Sequence, residues 1–263
     1  MATKIMFANK KGGVGKTTSS VNVSALLAEK GYRVLAMDFD SQSHLTKSVG
    51  INYDNLKNSL SEVFLGKCTL ANAITELSDN LHILPSRPDL VEVPHMSGVV
   101  DHMNKNNIIK FKIGEVESRY DFIIMDTPPS VTDLLVTNCF AIASHVIIPI
   151  QPRALSLDGL KQFLGIIANV REQWVNPDIH ILGLLITFAK KNSPIDATEQ
   201  IALLREGIGG KVKIFDSMIR DSTALSAAPG KGRPITLYRR KSIGFEDYEN
   251  LTAEILRHVA AHV

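Results

Sequence analysis

Short runs of apolar residues alternate along the chain with stretches whose apolar positions recur every three or four residues. The runs predict strands at Lys4–Asn9, Arg33–Asp38, Leu81–Leu84, Asp121–Asp126, His145–Ile150 and His180–Phe188. The spaced stretches predict helices at Gly15–Lys30, closed by Gly31, and at Ser156–Gln173, Pro194–Glu206 and Phe245–His262. Several strands, such as Phe122–Met125 and Val146–Ile150, are continuous apolar runs rather than alternating ones. A strand that is apolar on both faces needs cover on both faces. The pattern therefore predicts an α/β three-layer sandwich, a mostly parallel twisted sheet flanked by helices. Segment 57–112 is weakly patterned and mostly helical, a subregion on one side. With no repeat, low-complexity tract or linker, one domain over 1–263 is expected.

Composition narrows the classes. Apolar residues make up 44% and charged residues 21% of 263, which excludes wholesale disorder. A chain this long buries roughly 70–75% of its unfolded surface and needs no covalent staple. No apolar run reaches the roughly 18 residues of a spanning helix, and Met1-Ala-Thr-Lys-Ile5 leads into a strand without a signal-peptide layout. Two cysteines, Cys68 and Cys139, make no disulfide framework or metal knuckle, so a reducing, cytoplasmic setting is expected. Net charge is only +2, but residues 205–245 hold nine Lys/Arg (Arg205, Lys211, Lys213, Arg220, Lys231, Arg233, Arg239, Arg240, Lys241) against Glu206, Asp216 and Asp221. Such a stretch suits an anion-binding surface or a solvated face.

The most specific signal is Asn9-Lys-Lys11-Gly12-Gly13-Val14-Gly15-Lys16-Thr17-Thr18, between the first strand and the first helix. That is the context of a phosphate-binding loop. Glycines let the backbone turn tightly and aim N–H groups into one concavity, and the helix N-terminus adds positive dipole. Lys16 can reach β- and γ-phosphates, and the Thr17 hydroxyl can ligate Mg²⁺. The general pattern G-x-x-x-x-G-K-[ST] expects glycine at position 10, where this chain has Lys10 followed by Lys11. A lysine on the outer lip is poorly placed for its own phosphate and can reach one across a dimer interface.

Lys11-Gly-Gly-Val-Gly-Lys16-Thr-Thr resembles the deviant Walker A motif of ParA/MinD-type ATPases, and the partition ATPases of ParA/Soj type in particular. Asp38-Phe-Asp40-Ser-Gln42 resembles their switch I, and Phe122-Ile-Ile-Met-Asp126-Thr-Pro-Pro129 their Walker B and switch II. Pro149-Ile-Gln-Pro152 with Ser156-Leu-Asp-Gly-Leu160, and Leu225-Ser-Ala-Ala-Pro229 with Arg233-Pro-Ile, are similar to later family segments. The likeness runs nearly end to end, least diagnostic over 52–112.

The resemblance implies ATP and Mg²⁺ as cofactors, with ATP held by Lys11, Gly12, Gly13, Val14, Gly15, Lys16, Thr17 and Thr18. It implies catalytic roles for Lys16 in cis, Lys11 in trans and Asp40, which positions the attacking water and helps Thr17 and Asp126 hold the metal; Asp38 supports the switch from the strand end. Thr187, Phe188 and Pro229 stand at family-like adenine positions. Ser41 replaces the usual switch proline, and Ser43-His44 replace a small residue and Asn, so switch rigidity or turnover is expected to differ.

The implied partners are a second copy, non-specific double-stranded DNA and a ParB-like activator, with the protein cytoplasmic and nucleoid-associated. Arg220, Lys231, Arg233, Arg239, Arg240 and Lys241 are the candidate DNA contacts. Ile219-Arg-Asp-Ser222 shifts or lacks a family arginine, for which Arg239-Arg-Lys241 would compensate. A positioning ATPase for another cargo has the same motor. A MinD-like membrane cycle needs a basic amphipathic tail. The actual tail sets Tyr248, Leu251, Ile255 and Val259 on one stripe opposite Glu246, Asp247, Glu249 and Glu254, which reads as core and not as a membrane anchor. An iron–sulfur reductase needs paired cysteines, which Cys68 and Cys139 do not provide. With the phosphate loop starting by residue 10, no N-terminal DNA-recognition module is expected.

Overall fold

The computed structural model describes residues 1–130, 133–151, 157–172, 175–189, 202, 204, 206, 207, 210 and 212–260. Eight strands form one sheet in the order β3-β4-β2-β5-β1-β6-β7-β8. They are β1 Thr3–Phe7, β2 Val34–Asp38, β3 Thr75–Ser78, β4 Leu81–Leu84, β5 Phe122–Asp126, β6 His145–Ile150, β7 His180–Ala189 and β8 Ile219–Arg220. All pairings are parallel except the β3–β4 hairpin at one edge.

The continuous apolar runs supply both faces at once. On β1, Ile5 and Phe7 pack under α1 (Lys16–Glu29) and the C-terminal helix Ile243–Ala260, whereas Met6, and Ala8 just past the strand, join the opposite core. Ile124 of β5 divides from Ile123 and Met125 in the same way. Each fully buried aliphatic side chain stabilises the fold by about 1.5–3 kcal/mol relative to exposure. The tail stripe is core as expected: Tyr248, Leu251, Ile255 and Val259 are buried against β1, β5 and α1.

The six sequence-derived strands recur within a residue or two at their ends. Segment 57–112 holds helices of only four to six residues, Leu60–Phe64, Leu70–Ala73, Ser97–Val100 and Ile108–Ile113, around the β3–β4 hairpin. Further helices are α2 (His44–Ser48), Leu134–Ile142 and Leu157–Glu172. Most of the expected helix Pro194–Glu206 lies outside the described residues, as do Pro152–Ser156, Arg205 and Lys211. Among the described residues no helix is long and apolar enough to cross a membrane.

Candidate nucleotide site

The parallel register brings three strand ends together. Phe7 of β1 pairs with Asp126 of β5, and Asp38 of β2 pairs with the same residue. The phosphate-loop sequence leaves this point and enters α1. Gly13 and Gly15 have φ of 71° and 86°, left-handed values that glycine adopts at little cost. A Cβ on Gly13 would meet nothing, so the backbone angle and not crowding requires glycine there.

The loop's carbonyls are tied down. Gln151 Nε2 donates to Gly13 O at 2.7 Å, Thr187 Oγ1 to Val14 O at 2.9 Å, and Lys16 Nζ to Lys11 O at 3.3 Å. Asn9 holds the approach, donating to Pro149 O at 2.7 Å and accepting from Lys11 N–H at 3.0 Å. Gly15 caps α1 without a side-chain hydrogen bond, and the first turn carries no acid. The helix therefore opens on backbone donors and a positive dipole end with no built-in anion, the arrangement that receives phosphate.

Charge accumulates behind the loop. Lys16 is 6% exposed, and Asp38 and Asp126 are fully buried. Asp126 Oδ2 accepts from Thr17 Oγ1 at 2.7 Å and its Oδ1 from Ser20 Oγ at 3.2 Å. Burial pushes the Asp126 carboxyl up to about 8, with repulsion from Asp38 and Asp40 adding to the rise. Burial likewise raises Asp38 and lowers Lys16, the latter against attraction from Asp126 and Asp40. At each of these three groups burial thus outweighs the opposing hydrogen bonds or charge attraction. A hard cation and a phosphate chain supply opposite charges to these groups, so the Thr17 hydroxyl, the carboxylates and Lys16 fit Mg²⁺ with a triphosphate.

Asp40, 8% exposed, follows β2. Its Oδ1 accepts from Gln42 N–H at 2.9 Å, and Ser43, with φ of 55°, turns the chain into α2. On the other side, Thr127 Oγ1 donates to Phe7 O at 2.9 Å, and Asp133 caps the helix Leu134–Ile142 through Leu135 N–H at 2.7 Å. A cavity of about 270 Å³ opens beside Gly15 and Thr18, lined also by Thr187, Phe188, Pro229 and Tyr248. The adenine candidates Thr187, Phe188 and Pro229 therefore share one pocket next to the loop. Phe188 adopts φ of 54°, a strained value for an aromatic residue, and its ring is 3.5 Å from where a Gly15 Cβ would stand.

The six DNA candidates divide. Arg220 pairs with Asp247 and Glu246 and so ties β8 to the C-terminal helix. Arg240 pairs with Glu29 at 3.0 Å and stacks on Phe245. Lys231, Arg233, Arg239 and Lys241 are exposed on the turns at 229–233 and 239–242. Sequence reasoning missed Ser20, Thr46, Ser86 and the role of Gln151. Ser20 was recoverable from its spacing three residues after Thr17 on α1; Ser86 reaches the site only through the fold.

A glycine loop running into an uncapped helix, beside strand-end carboxylates on a parallel sheet, defines a P-loop nucleoside-triphosphate-binding protein. Residues 2–181 match the AAA domain family. Over 259 residues the chain is 34% identical to the chromosome partitioning protein ParA of Myxococcus xanthus, covering 96% of this chain and 87% of that one. It is 32% identical to the sporulation initiation inhibitor protein Soj of Bacillus subtilis, covering 97% and 98%. A cobyrinic acid a,c-diamide synthase from Mycobacterium smegmatis, crystallised with an ATP analogue and magnesium, superposes with a TM-score of 0.86 at 28% identity, over 100% of this chain and 97% of that one. The chain belongs to the AAA domain family and, within it, to the ParA/Soj-type partition ATPases.

Proposed function

We propose that this protein is a Mg²⁺-dependent ATP hydrolase of a DNA-partition system, a single ATPase domain that pairs around two ATP molecules and binds DNA without sequence preference in that state. The observation that carries the reading is the convergence of Lys16, Thr17, Asp126 and Asp40 at the open start of α1.

Thr17, Asp126 and Asp40 are the residues that would hold Mg²⁺, which supplies charge neutralisation for the phosphates when bound. The backbone of residues 12–18 cradles the phosphate chain, and Lys16 moves its ammonium from Lys11 O to a phosphate oxygen. Asp40 keeps one oxygen on Gln42 N–H and presents the other to the attacking water. Lys11, exposed on the lip, donates its charge to the nucleotide of the second copy. The pocket of Thr187, Phe188 and Pro229 takes the base.

For DNA, the exposed Lys231, Arg233, Arg239 and Lys241 are the leading contacts; Arg220 and Arg240 carry less because carboxylates already engage them. A ParB-like partner would stimulate hydrolysis and return the protein to the non-binding state, in the cytoplasm and on the nucleoid. Burial of the C-terminal stripe argues against a MinD-like membrane cycle. The test is sedimentation of Asp40→Ala with Mg-ATP or Mg-ADP, with and without non-specific duplex DNA. An ATP-dependent dimer that binds DNA is expected; a monomer with ATP, or equal DNA binding with both nucleotides, overturns the reading.

A further inference from the structure

The main chain of Asp40 is held at both ends by buried side chains. Its N–H donates to Asp38 Oδ1 at 3.1 Å, and its carbonyl accepts from Ser86 Oγ at 2.8 Å. Ser86, with no exposed surface, donates its own N–H to Thr46 Oγ1 at 3.0 Å. The Thr46 hydroxyl donates to Asp38 Oδ2 at 2.7 Å, and Thr46 N–H donates to the same oxygen at 2.9 Å. The bonds close a ring: Asp40, Ser86, Thr46, Asp38 and back to Asp40. Its members come from the end of β2, from α2 and from the loop after β4.

That loop is itself anchored. Pro85 O accepts from Leu60 N–H at 2.9 Å, and Arg87 is gripped by Glu62 and Asp89. Ser86 is thus a fixed post and not a mobile hydroxyl. Asp40 stands on the turn between β2 and α2, where Ser43 is left-handed and Ser41 offers no proline ring to stiffen φ.

We propose that Ser86 is a positioning residue for hydrolysis: through the Asp40 carbonyl it fixes the turn so that the Asp40 carboxylate meets the attacking water. The inference rests on Asp40 being the water-orienting group. Ser86 replaces the rigidity that a proline at position 41 would confer with a hydroxyl hydrogen bond from the loop after β4. Thr46 completes the device, because its hydroxyl is both the acceptor that seats Ser86 and a donor to Asp38. Misplacement by a fraction of an ångström slows a positioned reaction while leaving ground-state binding intact.

The experiment measures basal Mg-ATP turnover, affinity for a fluorescent ATP analogue and melting temperature for Ser86→Ala, Thr46→Val, Thr46→Ser and Asp40→Ala. Ser86→Ala and Thr46→Val are expected to lower kcat about five- to tenfold with KM and analogue affinity within about twofold. Thr46→Ser, which keeps the hydroxyl, is expected to retain more than half of the wild-type kcat. Wild-type turnover in Ser86→Ala while Asp40→Ala is stalled overturns the inference and leaves the Asp40 assignment standing. Parallel losses of analogue affinity and kcat, or Thr46→Ser as impaired as Thr46→Val, overturn it too, since they mark a structural role. If Ser86→Ala does not fold, the two Thr46 variants decide. Normal turnover in Asp40→Ala removes the parent reading and the inference together.

Discussion

Replacing Asp126 by Asn tests the charge balance behind the phosphate loop. Burial, with repulsion from Asp38 and Asp40, raises the pKa of this carboxyl to about 8 from 3.8, against the opposing effect of the Thr17 hydroxyl hydrogen bond. Between those values the folded, nucleotide-free protein holds a proton that the unfolded chain has released. Stability from this group is fully present below about pH 4 and is lost as pH rises through about 8. The steepest loss for one proton is about 1.4 kcal/mol per pH unit. For a chain of this size that is a fall of roughly 3–5 °C in Tm per unit. Asn mimics the neutral carboxyl in shape and removes the titration. In nucleotide- and Mg²⁺-free buffer, calorimetric Tm values from pH 5 to 8 should fall for wild type and stay flatter for Asp126→Asn, the curves crossing or converging toward low pH. Parallel curves would refute the protonated-carboxyl account. Mg-ATP should flatten the wild-type curve, because cation binding favours the ionised carboxylate, and should do little for the variant.

Other substitutions probe separate parts of the site. Lys16→Ala removes the buried ammonium beside the loop and should abolish ATP binding in a fluorescent-analogue titration; unchanged affinity would remove the loop assignment. Asp40→Ala should bind ATP and dimerise normally yet lose about a hundredfold or more in kcat, read by phosphate release. Gly232→Ala places a Cβ 2.8 Å from Gly50 Cα at φ of 60°, where α2 ends against the turn carrying Lys231 and Arg233. It should cost about 2 kcal/mol, a Tm drop of roughly 5 °C, and an unchanged Tm would show that the two turns separate freely. Lys231→Glu with Arg239→Glu should weaken ATP-dependent DNA binding and flatten its dependence on salt by about two in log–log slope, whereas Arg220→Gln should chiefly lower Tm through loss of its Asp247 contact.

Much of the fold was legible because its signals are local. Continuous apolar runs announce strands buried on both faces, and the period of Tyr248, Leu251, Ile255 and Val259 announces a helix laid on a core. The hairpin strand β3, of sequence Thr-Glu-Leu-Ser, was missed because an edge strand buries little and so carries little apolar signal. Strand β8 was missed because two residues make no pattern. The weak helices of 57–112 are one turn or slightly more, held by caps such as the Ser59–Glu62 box and not by periodicity.

By itself the sequence determined the phosphate loop, the strand-end acids and the layered sheet. Each depends on residue type and spacing within one stretch of chain, where steric and hydrogen-bonding rules act directly. The tertiary structure alone decided which partners those residues take. Asp38 and Asp126 lie side by side because β2 and β5 are neighbours, Arg220 is neutralised because the C-terminal helix crosses β8, and Ser86 touches Asp40 because β4 ends beside β2. Pairings between residues 27 to 88 positions apart depend on which strands and helices lie side by side, and that follows from burying all the apolar faces together.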